Sequence, residues 1–179
     1  MSDDGADDRD PRVAQLEEYM ADHSPEEVAE FLISLGGKDG IIHGGIGSDE
    51  NFAKAHFLVC ATLDKGGKLT EEIKTNAAVF KACCNTPALK ASLLLAIELL
   101  VVKEKRNGIK KYDAILRCLW EADVADEAII EEWHSKERAL QPLYPGWKSD
   151  DAVKARQAAY KFVEWVQAAE ESGDSDPQE

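Results

Sequence analysis

The sequence predicts an all-α fold, a solenoid-like stack of about seven or eight antiparallel helices joined by short loops. Three observations carry this expectation. Helix caps and helix stops recur along the chain, no segment alternates apolar and polar residues for long, and no sustained heptad pattern suggests a coiled coil. No exact repeat is visible, so the stacking is inferred from helix order.

The elements follow in order. A first helix is expected from Arg12 to about Asp22. "SPEE" is a capping box, with Ser24 as N-cap, Pro25 at the first helical position and Glu27 at the third; Gly36-Gly37 is a stop. Ser48 can cap a helix over 49–63, stopped by Gly66-Gly67. Thr70 can cap a helix over 71–84, stopped by Asn85. Thr86-Pro87 begins a long helix reaching Asn107-Gly108, another spans about Lys110 to Ala122, Asp126 caps the next, and a last one runs from Ser149 to about Glu171. The expected organisation is a single helical domain over 11–172 between disordered acidic tails at 1–10 and 173–179.

The chain has 179 residues, 44% of them apolar, enough for one domain with a sizeable core. Its 35 acidic and 21 basic residues give a formal net charge of -14. That balance argues against nucleic acid as a direct ligand and favours a basic peptide or protein partner. Cys60, Cys83, Cys84 and Cys118 stand in apolar runs without C-x-x-C spacing, as expected of reduced core residues of an intracellular protein. The start "MSDDGADDRD" resembles no signal peptide, and "LLLAIELLVV" (93–102) is too short and carries a glutamate, so it reads as a buried helix rather than a membrane span.

Enzyme signatures are weak. "IIHGGIGSDE" (41–50) lacks the G-K-[ST] of a phosphate loop and would open its helix with Asp49 and Glu50, which repel phosphate. His23, His43, His56 and His134 form no H-E-x-x-H and have no C-x-x-C companions, so neither a metal nor a cofactor is expected.

The informative stretch is "LWEADVADEAIIEEWH" (119–134), with six carboxylates between two tryptophans and no Lys or Arg. Ile115, Leu116, Leu119 and Trp120 make an apolar stripe, Val124 plugs the turn, and Ile129 and Trp133 at i, i+4 bury together beside Ile130. Glu121, Asp123, Asp126 and Glu127 crowd one corner. Carboxylates suit a helix start but not the preceding helix end, so this crowding exceeds what capping needs. A second segment, "YKFVEWVQAAEES" (160–172), has the same character: Phe162, Val166 and Ala169 on one face, Trp165 at its flank, and Glu164, Glu170 and Glu171 as charge.

The pair "ILRCLWEADVADEAIIEEWHSK" and "ARQAAYKFVEWVQAAEES", in this order, resembles the two aromatic-acidic boxes of a translation-factor domain family. That family includes the C-terminal domain of eukaryotic translation initiation factor five and, more distantly, the epsilon subunit of the factor-2B exchanger and the factor-five mimic proteins. The resemblance is strong over 115–136 and 156–172 and rests on helix order alone over 12–108. It implies a HEAT-like domain that binds lysine-rich segments, chiefly in the beta subunit of initiation factor two. Carried over by position, the partner-binding residues are Trp120, Glu121, Asp123, Glu127, Glu131, Glu132 and Trp133, with Asp126 at the same corner, and Phe162, Glu164, Trp165, Glu170 and Glu171.

The Pro-rich stretch "LQPLYPGWKSDD" departs from the shorter link usual in the family. The zinc cysteines and GTPase-activating arginine of factor five's other domain have no counterpart here, so the chain is expected to be a separate domain or a fragment. "KEKRNGIKKYDAILR" (103–117) carries six cations against two acids, and Lys103, Lys105, Arg106, Lys110 and Lys111 form a candidate second, basic surface. The expected function is a non-enzymatic, cytoplasmic scaffold of translation initiation that also meets initiation factors one, three and four-G. The alternative is a nucleotide-exchange domain acting on initiation factor two.

Overall fold

In the computed structural model of this chain, residues 11–35, 50–63, 68–103, 106–135 and 149–174 are described. Among them every regular element is helical: α1 (Pro11–Met20), α2 (Pro25–Leu35), α3 (Glu50–Thr62), α4 (Leu69–Thr75), α5 (Ala77–Cys83), α6 (Pro87–Lys103), a 3-10 turn (Arg106–Lys111), α7 (Tyr112–Glu121), α8 (Glu127–His134) and α9 (Ser149–Asp174). The all-α, HEAT-like expectation holds, with nine α-helices described in place of about seven or eight. The capping box forms as its residues require. The Ser24 amide donates to Glu27 Oε2 at 2.8 Å, and the Glu27 amide donates to Ser24 Oγ at 3.2 Å. Thr86 caps α6 in the same way, its hydroxyl oxygen accepting from the Leu89 amide.

Three expectations are corrected. The helix expected over 71–84 is two helices. It begins at Leu69, with Lys68 at the N-cap rather than Thr70, and it breaks at Asn76. There the side-chain amide and the backbone amide both donate to the Glu72 carbonyl, closing α4. The helix expected to reach Asn107-Gly108 ends as α-helix at Lys103, and 106–111 wind as a 3-10 turn around Gly108. The last helix, expected to end at about Glu171, continues through Asp174. The tail 1–10, the Gly-rich stretch 36–49 and the Pro-rich stretch 136–148 lie outside the described residues.

One continuous core runs from Val13 to Val166. The central α6 is apolar on nearly every side, and a helix of that kind is stable only when covered all round. α3, α8, the 3-10 turn and α9 all pack on it, and Leu93, Leu94 and Ile97 are at most 1% exposed. α1 and α2 pack on each other, α2 on α5, α4 on α7, and α7 and α8 on α9. The four thiols are free. Burial alone pushes Cys83 up to about 12, and Cys84 also to about 12 with a contribution from Cys83, so neither is a nucleophile near neutrality. Among the described residues no helix is long and apolar enough to cross a membrane.

Candidate functional site

The acidic corner is built by how α7 ends. Leu119 is buried two places before the helix end, and its carbonyl accepts from the Val124 amide at 2.9 Å, while the Asp123 amide donates to the Trp120 carbonyl at 3.0 Å. This closure satisfies the Leu119 and Trp120 carbonyls and leads Val124, 1% exposed, into the core. It requires a left-handed residue, and that residue is Asp123, with φ 64°. Glycine is the usual occupant, since a Cβ there costs about 1–2 kcal/mol. Asp123→Gly is therefore expected to stabilise the fold by about 0.5–1 kcal/mol, read as a rise in the urea midpoint. An unchanged or lower midpoint would show that the carboxylate itself holds the turn.

From this turn the chain enters α8 through Asp126. Its carboxylate accepts from the Ile129 amide at 3.0 Å and lies 3.8 Å from Lys90 Nζ of α6. Asp126 thus has structural work as a cap, beyond the partner contact expected of it. Glu121, Asp123 and Glu132 are exposed and Glu127 and Glu131 half-buried, so five of the six carboxylates reach solvent around α7–α8 without serving as a cap.

The two tryptophans of the first segment part company. Trp133 is 4% exposed, stacks on Tyr112 (centroids 5.0 Å, planes 6° apart), and lies under the Arg156 guanidinium at 4.5 Å. It is a core residue and presents no face to a partner. Trp120 is half-buried and meets the second segment edge-on, 5.2 Å from Trp165 and 6.2 Å from Phe162. Phe162 is buried, Trp165 is 46% exposed, and Glu164 beside it is exposed and accepts from the Tyr160 hydroxyl at 3.1 Å. That bond and the Glu164 charge raise the Tyr160 phenol above its ordinary range. Val166 shares the buried face with Phe162, whereas Ala169, expected there, is exposed. Glu170 and Glu171 lie on the same helix, their side chains outside the described set. The aromatic contact joins the two segments, although about forty residues separate Trp120 from Phe162 along the chain.

Beneath the site lies a buried charged group that the sequence reading missed. Glu98 of α6 is 0% exposed and Arg156 of α9 is 4% exposed. Arg156 Nη1 donates to Glu98 Oε1 at 3.1 Å and to the Ala152 carbonyl at 3.1 Å, and its Nε donates to the Trp133 carbonyl at 2.9 Å. Trp133 Nε1 donates to the same Glu98 oxygen at 2.9 Å. His134 Nε2 donates to the Arg156 carbonyl at 3.0 Å, and burial holds this imidazole below its usual range, hence neutral. Three helices are thereby pinned by one ion pair. The signal was a glutamate inside an otherwise apolar run, which demands a buried cation somewhere.

Of the candidate basic surface, Lys110 and Lys111 are exposed on the 3-10 turn, which packs on α6, α7 and α9. Lys103 and Arg106 fall at helix ends with their side chains outside the described set, and Lys105 lies outside it altogether. Among the described residues no group of His, Cys, Asp or Glu is arranged to hold a metal ion.

Fold and site together define an all-helical domain that presents two joined aromatic-acidic segments. Residues 89–176 match the W2 family model, described as eIF4-gamma/eIF5/eIF2-epsilon, and both segments fall inside the match. The resemblance drawn from the two boxes is borne out. Eukaryotic translation initiation factor 5 of Phaseolus vulgaris is 33% identical over 85 residues, 47% of this chain. The factor 5 of Zea mays is 27% identical over 111 residues, 62% of this chain. The matches span 17% and 23% of those relatives' lengths. The solved C-terminal domain of translation initiation factor 5 at low pH shares the fold, with a TM-score of 0.66 at 20% identity, covering 93% of this chain and 96% of that one.

Proposed function

We propose that this chain is a protein-interaction scaffold of translation initiation, and that its two aromatic-acidic segments together hold lysine-rich segments such as that of the beta subunit of initiation factor two. The observation that carries the reading is the contact of Trp120 with Phe162 and Trp165, which joins two acidic segments distant in sequence into one surface. Glu121, Asp123 and Glu132 are exposed and Glu127 and Glu131 half-buried along α7–α8, and Glu164 is exposed on α9. A net charge of -14 adds long-range attraction for a cationic segment. Each exposed ion pair contributes about 0.2–1 kcal/mol, so several lysines must engage at once, and binding must weaken steeply with salt. The reading places the chain in the cytoplasm, with initiation factors one, three and four-G as further partners and the Lys110–Lys111 face as a second surface.

The test is titration with a peptide carrying a block of lysines. Glu131→Gln/Glu132→Gln and Glu170→Gln/Glu171→Gln are each expected to lower affinity about three- to tenfold, with a shallower salt dependence. Undiminished binding by both variants would overturn the site. The W2 description also includes eIF2-epsilon, which keeps the exchanger alternative open to a direct assay. Faster GDP release from loaded initiation factor two on adding this chain would replace the scaffold reading, whereas binding without acceleration supports it.

A further inference from the structure

Arg117 of α7 stands one turn before Glu121, the spacing at which an arginine and a glutamate readily pair. It does not pair. Among the described residues no carboxylate lies within ion-pair distance of it, and its guanidinium instead sits over two aromatic rings, 5.4 Å from the centre of Trp165 and 5.7 Å from that of Phe162. Those rings are 5.9 Å apart at 25°, and Trp120 closes the cluster edge-on. Arg117 is exposed, and Trp165 is 46% exposed. The most cation-attracting face between the two acidic segments is therefore already occupied, and the occupant is one of the chain's own side chains. An indole face and a phenyl face together attract any cation that reaches them, and they do so most strongly where water is partly excluded.

We propose that Arg117 is an internal placeholder: it holds the Trp165–Phe162 face until a lysine or arginine of the basic partner takes that face over. This rests on the proposed binding of lysine-rich segments and adds to it a specific subsite and a built-in competitor. Displacement is inexpensive because one cation–aromatic contact replaces another, and the released guanidinium can turn to Glu121, one turn ahead on the same helix. The competition also sets selectivity. A weakly basic segment cannot displace Arg117, whereas one with several cations near the acidic corner can. Parked on the rings by a contact of ordinary exposed strength, Arg117 leaves the face open only about 15–30% of the time, which weakens a cationic ligand about three- to sixfold.

The experiment compares the wild-type chain with Arg117→Met, which keeps an unbranched apolar stem over the rings and removes the charge. Lys81→Met, on an exposed position of α5, is the control for loss of one positive charge. Binding of the lysine-block peptide is measured by calorimetry. In parallel, the Arg117 Nε–H resonance, displaced by the ring currents of Trp165 and Phe162, is followed during titration of the wild type. Expected are about three- to sixfold tighter binding by Arg117→Met, a change under about twofold for Lys81→Met, and movement of the Arg117 resonance toward that of free arginine as the peptide saturates. Equal or weaker binding by Arg117→Met, or an Arg117 resonance that keeps its ring-current displacement at saturation, overturns the placeholder while leaving the lysine-binding reading intact. Should the wild type not bind the peptide at all, that reading falls. The placeholder then falls with it, since no partner cation takes over the face that Arg117 holds.

Discussion

Glu98→Ala is expected to destabilise the domain by about 3–5 kcal/mol, read as a large drop in the urea midpoint. The cost comes from what remains behind. Arg156 stays 4% exposed with its charge uncompensated, and Trp133 loses the acceptor of its indole N–H. Arg156→Met alone should cost a comparable amount, because it strands the Glu98 carboxylate with 0% exposure. The double variant Glu98→Leu/Arg156→Met should recover most of either loss. A well-packed apolar pair of similar volume often equals a buried ion pair, and here Arg156 Nη2 has no hydrogen-bond partner among the described residues even in the native state. A double variant as unstable as the sum of the singles would show that the ion pair itself contributes net stability. Because Arg156 also holds the Trp133 carbonyl and Glu98 holds its ring, α8 and its carboxylates are positioned from below. The single variants should therefore weaken lysine-peptide binding even where most of the protein remains folded.

Much of this arrangement could be read in the sequence, and the parts that could not share a physical cause. Three local signals were faithful, though Thr70 was not: Ser24 with Glu27, Thr86 before Pro87, and Asp126 before Glu127 each cap the helix they were expected to cap, since capping depends on a few neighbouring residues. Asn76 was read as helix interior, because its preference for bonding the Glu72 carbonyl competes with helix continuation by a margin that composition does not reveal. Glu98 was visible as an anomaly in an apolar run, but its partner is 58 residues away, and nothing local to "VKARQAAYKF" distinguishes Arg156 from a solvated arginine. The left-handed Asp123 was likewise hidden: the acidic cluster was plain, whereas its place at the helix closure depends on Val124 turning into the core. Arg117 was counted within a basic run along the chain, yet the fold turns it toward the acidic segments through the rings of α9.

Trp133→Ala and Trp165→Ala should have opposite consequences, although both residues stand in aromatic-acidic sequence. Trp133→Ala is expected to cost about 3–5 kcal/mol, since it empties the space between Tyr112 and Arg156 and withdraws a donor from Glu98. In a domain of this size that lowers the melting temperature by roughly 2–4 °C for each kcal/mol. Trp165 is 46% exposed and contributes edge and face contacts to Trp120 and Phe162, so Trp165→Ala should cost about 1 kcal/mol and leave the fold intact. Its effect belongs to binding. Without Trp165, Trp120 keeps only Phe162 across the junction, Arg117 loses one of its two aromatic supports, and the proposed cation face shrinks. Peptide affinity should fall about three- to tenfold at a nearly unchanged melting temperature. A Trp133 variant that melts like the wild type would remove that residue from the core role assigned to it, and full affinity in Trp165→Ala would remove the aromatic cluster from the binding surface. The two indoles thus differ in what they touch: the buried one packs α8 between Tyr112 and Arg156, and the exposed one of α9 meets Trp120 of α7.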